Sequence, residues 1–264
     1  MEAFSCVDRA IWRGDGLVRG ERSIPEEVAV AFSYNGSSYA VMMATPQDLA
    51  DFAAGFSLTE GVIGSVSEIE SLDVVKAEAG IDLRMWLTES RRVILQERRR
   101  FLAGPTGCGL CGIESLEEAM RVNEPVVDDA VFTPQEIMVA LDTLTSQQPL
   151  HKRTSAVHAA AFWTRDEGLV AVREDVGRHN ALDKLTGALA HLGRTGRGGL
   201  GIMTSRLSVE LVQKAAAARI PVLVAVSAPT ALALRTAEAA GITIVAVARR
   251  DGFEVFTHSQ RIAQ

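Results

Sequence analysis

The chain is poor in cysteine, with three in 264 residues; it has no excess of basic side chains and no apolar run of membrane length. Each shortage excludes something. Lysine and arginine number 27 against 33 acids, for a net charge of −6 and a pI near 5.5, which argues against a generic nucleic-acid or membrane-surface binder. The apolar uncharged stretch Ile220 to Leu234 contains Pro221 and Pro229 and is shorter than the ~20 residues of a spanning helix. Glu2, Asp8 and Arg9 interrupt the N-terminus before an export signal could form, so a cytoplasmic protein is expected. In a reducing compartment, thiols are more often reactive or metal-binding than paired in structural disulfides. Neither a Walker loop nor G-x-G-x-x-G is present, which disfavours nucleotide hydrolysis and dinucleotide binding.

What is present is core-forming material, 47% hydrophobic, enough for one or two domains. Two textures divide it. Residues 1–105 mix short strand candidates, VAVAFSYNG, SYAVMMAT, DLRMWLT and RRVILQ, with one helical run opening at Thr45-Pro46. The Asn35-Gly36 pair predicts a hairpin, and this part reads as a small α+β domain. Residues 106–264 form the second domain, in which helical and strand runs alternate from about 134 onward. Its β-branched runs, LGIMT, PVLVAVS and ITIVAVAR, separated by amphipathic helices, predict a sheet with substantial parallel pairing covered on both faces.

Two of the three cysteines stand in a glycine-rich turn between these textures, Gly107-Cys108-Gly109-Leu110-Cys111-Gly112. Ser115 with Glu118 has capping-box spacing, so a helix start is expected behind the pair, and a helix N-terminus favours a thiolate or persulfide. The pair admits three chemistries: structural zinc, a thiol–disulfide site, or a sulfur carrier. Zinc is poorly supported, because Cys6 and five scattered histidines offer no further ligand spacing, and no metal site is expected. Cys6 itself reads as a small buried or incidental thiol. Arg91, Arg92, Arg98, Arg99 and Arg100 lie just before the pair, as a solvated face or as a docking patch for an anion.

Further polar constellations punctuate the second domain. REDVGRHNALDKL gathers Arg173, Glu174, Asp175, Arg178, His179, Asn180, Asp183 and Lys184 ahead of an apolar helix; it is either a capped helix end or a ligand- or cysteine-facing group. TSRLSVE and VSAPTAL read as strand-to-helix turns carrying Ser205, Arg206, Ser227 and Thr230, which sit where α/β sheets collect anions. ITIVAVA ends at Val247-Ala248-Arg249-Arg250-Asp251-Gly252, on the same edge; from the residues alone this reads as a solvated turn with one arginine paired to Asp251, although two adjacent arginines there could also bond a phosphate. His158-Ala159-Ala160 has alanine where a zinc deaminase would carry its acid/base glutamate, so hydrolytic deamination is not expected.

Taken together, GCGLCGIESL, REDVGRHNALDKL, SRLSVELVQKA and SAPTALA followed by AEAAGITIVAVAR resemble the formate dehydrogenase accessory sulfurtransferase family, the FdhD type, in order over about residues 104–258. The resemblance implies a sulfurtransferase that takes sulfur from a cysteine desulfurase and delivers it to the molybdenum cofactor, a bis(molybdopterin guanine dinucleotide), for the formate dehydrogenase apoenzyme. It implies a persulfide on Cys108 with Cys111 assisting by exchange, and the cofactor on residues 247–252, with Ser205, Arg206, Ser227 and Thr230 beside it. It also implies a three-layer, cytidine-deaminase-like fold for the second domain. A cofactor-binding chaperone without sulfur transfer and a thiol–disulfide oxidoreductase are the alternatives, and a homodimer is one option for assembly. Two departures stand out. Thr204-Ser205-Arg206 replaces the family's common Ser-Gly-Arg, which removes a permissive glycine. Ala246-Val247-Ala248-Arg249 replaces Gly-Phe-Ala-Arg, which removes an aromatic that could stack on guanine.

Overall fold

The computed structural model describes residues 1–14, 16–102 and 124–263, with 97–102 described by backbone alone. Three sheets organise the described residues. Among the described residues, strands β1 (Phe4–Arg13) and β2 (Gly16–Pro25) pair only with each other, as an antiparallel arm. Strands β3 (Val28–Tyr34), β4 (Ser37–Ala44), β5 (Ile69–Ala77) and β6 (Gly80–Leu87) form a sheet in the order β4-β3-β6-β5. The hairpin expected at Asn35-Gly36 is there, with φ of 50° and 77°, the left-handed pair that a tight two-residue turn requires.

Helix α1 (Leu49–Thr59) covers one face of this sheet. Phe52 and Phe56 pack on Phe32 with ring centroids 4.9 and 4.0 Å apart, beside buried Tyr34, Leu83 and Met85. The helix begins at Leu49 rather than beside Thr45-Pro46, because Thr45 is fully buried and its polar groups bond the other half of the chain. RRVILQ, expected as a strand, belongs to helix α2 (Glu89–Leu102). Only Leu95 of its apolar triplet is buried, Val93 and Ile94 being 44% and 50% exposed, so the β-branched run marks no buried strand.

The second sheet runs β12-β11-β10-β9-β7-β8. Its central strands β9 (Leu200–Met203), β10 (Val222–Ala225) and β11 (Thr243–Arg249) are parallel; β7 (His158–Thr164), β8 (Gly168–Asp175) and β12 (Gly252–Val255) are antiparallel additions. Helix α3 (Pro134–Ser146) covers one face through Ile137, Ala140, Leu141 and Leu144, the i, i+3, i+4, i+7 stripe of an amphipathic helix. It starts at a capping box in which Thr133 and Glu136 bond each other's backbone N–H. A short helix α4 (Pro149–Thr154) follows, its free N–H groups at Leu150 and His151 donating to the Glu174 carboxylate. The opposite face carries α5 (Arg178–His191), α6 (Val209–Ala217) and α7 (Ala231–Ala239). Alternate residues of one strand serve the two faces: Val222 and Val224 meet α3, whereas Leu223 and Ala225 meet α5 to α7. Burial on both faces explains why these strands are continuously apolar.

The two halves meet where α1 crosses α5. A Cβ on Gly55 would lie 1.7 Å from the Asp183 carbonyl oxygen, and one on Gly187 would lie 1.9 Å from that of Asp51, so the backbones touch at both glycines. Alanine ordinarily stabilises a helix interior relative to glycine by about 1 kcal/mol. Gly55→Ala is expected to do the reverse, costing about 3 kcal/mol through overpacking, read as a lowered urea midpoint.

Two buried ion clusters flank this crossing. Lys184 Nζ donates to Asp175 Oδ2 at 2.6 Å and to the Thr45 carbonyl at 2.9 Å, and both ionic side chains are wholly buried. Asp175 also accepts from Thr45 N–H, Gly177 N–H and Asn180 Nδ2, so each of its oxygens is used twice. In the second cluster Lys214 Nζ bonds Asp183, Thr59 and Glu60 at 2.9–3.0 Å. Burial pushes the Asp183 carboxyl above its usual range. It also works against the Lys214 charge, but Asp183 and Glu60 outweigh it and hold that pKa above the ordinary value.

Candidate functional site

At the carboxyl ends of β9, β10 and β11 the chain makes three neighbouring turns. The first, Thr204 to Ser208, leads into α6; Ser205 is buried, its hydroxyl donating to the Arg206 carbonyl, and Arg206 is exposed. The second, Val226 to Thr230, leads into α7, where the Thr230 hydroxyl caps the helix by accepting from Ala233 N–H at 3.2 Å. The turns are tied together by backbone bonds from Thr230 N–H to the Leu207 carbonyl and from Val226 N–H to the Met203 carbonyl. The third is the β11–β12 turn at Arg250-Asp251, joined to the second by Val247 N–H reaching the Ser227 carbonyl at 3.4 Å. Ser205, Ser227, Thr230 and residues 247–252 are therefore brought to one edge, as expected from their strand-to-turn positions.

Val247 departs from regular geometry. Its φ is 53°, costly for a β-branched residue. The β11–β12 register shifts between Ala246 and Arg249. Ile244 and Ala246 face the α5–α7 core, but Ala248, two residues on, faces the α3 core and is 2% exposed. One left-handed residue has switched the side of the strand. The Ala248 side chain consequently packs in the core, leaving its backbone at the edge. Arg249, Arg250 and Asp251 are exposed, and among the described residues neither arginine forms an ion pair with Asp251. Ser205, by contrast, has no positive φ, so serine in place of the family's glycine imposes no backbone strain.

Two histidines join this edge that sequence reasoning did not place there. His158 begins β7 opposite Asp175, and the next residue, Ala159, exchanges bonds with Thr204. Burial, then the nearby Arg178 charge, lowers the His158 pKa. His179, in the first turn of α5, lies 2.9 Å from Glu210 and 3.4 Å from Ser208; burial and Arg178 lower its pKa as well. Both shifts favour the neutral imidazole, against the pull of Glu210 on His179. The Arg-His start of α5 was the available signal, but its neighbours obscured it: Asp175, Asn180, Asp183 and Lys184 serve the seam between the halves, and Glu174 serves α4. His158-Ala159-Ala160 opens a strand, with Ala159 and Ala160 wholly buried in opposite core faces, which gives the string a packing role. Cys6, expected to be buried or incidental, is exposed on β1. Cys108, Cys111 and the capping residues behind them lie outside the described residues.

A mixed sheet with a parallel centre, helices on both faces and serine- and arginine-bearing turns at its carboxyl edge defines the class of this protein: an α/β protein with an edge suited to anionic ligands. The chain belongs to the FdhD/NarQ family, whose profile matches residues 25–263. It is 55% identical over 262 residues to the sulfur carrier protein FdhD of Agrobacterium fabrum, covering 98% of this chain and 96% of that one. Against the proteins of the same name from Brucella abortus and Cupriavidus necator, identity is 52% and 49%. Those matches cover 96% and 95% of this chain, and 94% and 87% of the relatives. The fold is similar to the crystal structure of a candidate formate dehydrogenase accessory protein from Desulfotalea psychrophila. The TM-score is 0.77 at 24% identity, over 99% of this chain and 100% of that one. Among the described residues no helix is long and apolar enough to cross a membrane.

Proposed function

We propose that this chain is a cytoplasmic sulfur carrier, a sulfurtransferase that serves formate dehydrogenase maturation by moving sulfur from a cysteine desulfurase to the bis(molybdopterin guanine dinucleotide) molybdenum cofactor. The observation that carries the reading is full-length similarity to proteins named sulfur carrier, joined to the Cys108-Gly-Leu-Cys111 sequence motif. In the loading step the Cys108 thiolate attacks the outer sulfur of the donor's persulfide. That S–S bond breaks, the donor leaves as a thiolate, and Cys108 holds the new S–S bond, with no net redox change. In delivery, Cys111 attacks the inner sulfur of the Cys108 persulfide, releasing the outer one as hydrosulfide. The Cys108–Cys111 disulfide left behind is reduced by a thiol reductant before the next round.

The cofactor is cargo, and its guanine dinucleotide ends are assigned to Val247-Ala248-Arg249-Arg250-Asp251-Gly252, with Ser205, Arg206, Ser227 and Thr230 alongside. Exposed arginines with no ion pair to any described residue, next to a strained residue, support this assignment, because local strain concentrates at ligand sites. The layering of the second sheet is read as deaminase-like, with no resident metal required. Intact mass after incubation with a desulfurase and cysteine tests the carrier reading: a gain of about 32 Da per sulfur is expected. No gain, with GDP binding intact, leaves a cofactor-binding chaperone. Arg249→Ala is expected to weaken GDP binding about tenfold by calorimetry, as loss of a charged hydrogen bond costs ~1.5–3 kcal/mol. Equal affinities in wild type, Arg249→Ala and Arg250→Ala would move the site to the Ser205-Arg206 turn.

A further inference from the structure

Arg178 is used neither by the seam between the halves nor by the edge assigned above to the cofactor. It is half-buried and, among the described residues, has no hydrogen-bond acceptor and no ion pair. Every other buried or half-buried lysine or arginine described has one. Arg91, Arg173, Lys184, Arg194, Lys214 and Arg219 pair with carboxylates, and Arg261 donates to carbonyls. A cation drawn partly out of water without a partner is costly. The acids around Arg178 are already committed, Asp175 to Lys184 and Glu210 to His179.

A second polar group beside it is also without a partner. The half-buried His158 ring forms no hydrogen bond among the described residues, and Arg178 is the largest charge acting on it. Burial and that charge favour the neutral ring, which offers one N–H donor. His179 differs, because its Nε2 is engaged by Glu210 and Ser208. Strand β7 runs antiparallel to β9, so its first residue, His158, stands at the edge where β9 ends. Strands β10 and β9 separate β7 from β11. At about 4.8 Å per strand, His158 lies roughly 14 Å along this edge from the Val247 turn. The turns bearing Ser227 and Ser205 stand between them.

We infer that Arg178 and His158 form a phosphate subsite, which takes the diphosphate of a guanine nucleotide whose base lies toward residues 247–252. The planar guanidinium fork matches two oxygens of one phosphate, and the imidazole N–H supplies a further donor. A diphosphate supplies the counter-charge that Arg178 lacks. An extended nucleotide carries its base and its terminal phosphate at opposite ends, which suits two groups set apart along one sheet edge where α/β folds collect such ligands. The inference rests on the proposed reading for the guanine end alone; the phosphate subsite is read from Arg178 and His158.

Calorimetry on the full chain with GDP, GMP and ADP tests the nucleotide. Wild type is expected to bind GDP at least about tenfold more tightly than GMP, the scale of a lost charged hydrogen bond. Arg178→Gln should bring GDP down to the GMP level while keeping the preference for GDP over ADP. Arg178→Lys, which retains the charge without the fork, should fall between. Pyrophosphate tests the subsite without any base. Its addition should move the His158 ring resonances of isotope-labelled wild type and raise that ring's titration midpoint, against a background of Arg178, Asp175 and His151. In Arg178→Gln it should do neither. A GDP-to-GMP ratio unchanged in folded Arg178→Gln, or in Arg178→Lys should the first variant not fold, would overturn the inference and leave the sulfur-carrier reading standing. A wild type whose His158 ring ignores pyrophosphate would overturn it as well. A His158 response to pyrophosphate in a protein that binds neither GDP nor GMP would support the subsite and remove the guanine assignment.

Discussion

Cys108→Ser is expected to take up no sulfur from a desulfurase and cysteine, while Cys111→Ser loads normally and delivers slowly. The asymmetry follows from the exchange chemistry: the first thiolate makes the S–S bond to the incoming sulfur, and the second expels it. The sequence motivates the pair as the reactive site: glycines flank both thiols, and the capping-box spacing of Ser115 and Glu118 predicts a helix start that would favour the anionic forms. Intact mass reads loading, and hydrosulfide release into a trapping reagent reads delivery. Sulfur on Cys108→Ser to the wild-type extent would transfer the carrier role to Cys111 or Cys6. Equal release rates from wild type and Cys111→Ser would remove Cys111 from the mechanism.

Lys184→Met should be the most destabilising single change among the described residues discussed above. The lysine is enclosed with Asp175, and burial pulls its pKa below the usual range despite that partner. Removing the ammonium leaves a fully buried carboxylate with three hydrogen-bond donors and no counter-ion. Breaking one side of such a pair costs about 3–5 kcal/mol. For a chain of this size that corresponds to a fall of roughly 10 °C in melting temperature. Asp175→Leu combined with Lys184→Met should recover part of the loss, since an apolar pair no longer carries a stranded charge. A single variant within 1 kcal/mol of wild type would show that the seam is held by the helix crossing instead.

Much of the architecture could be read from the residues. Continuous apolar runs between amphipathic helices gave the parallel centre of the second sheet, and Asn35-Gly36 gave the β3–β4 hairpin of the other half, because both signals are local. The arm escaped notice because its strands bury nothing, so no alternation of core and solvent marks them. Strand β5 escaped for a similar reason, burying no residue fully over IESLDVVKA. RRVILQ misled by composition: its β-branched residues sit on the solvent side of a helix held by Leu95. The strand-edge turns were legible because strand, turn and helix follow one another directly. REDVGRHNALDKL was not, since the same letters suit a ligand site or a buried seam. What decides is Thr45 and Thr59, more than a hundred residues earlier.

That separation sets an order of events. Thr45 and Asp175 are 130 positions apart and Thr59 and Lys214 are 155 apart, so the bonds that join the halves close long loops, and loop closure is entropically costly. Each half owns an apolar cluster that can collapse without the other. Docking of preformed halves is then the last step of folding, with ions shedding water only as the seam shuts. Substitutions there should accelerate unfolding and leave the refolding rate nearly untouched, a division that stopped-flow denaturant jumps on Lys184→Met would measure directly.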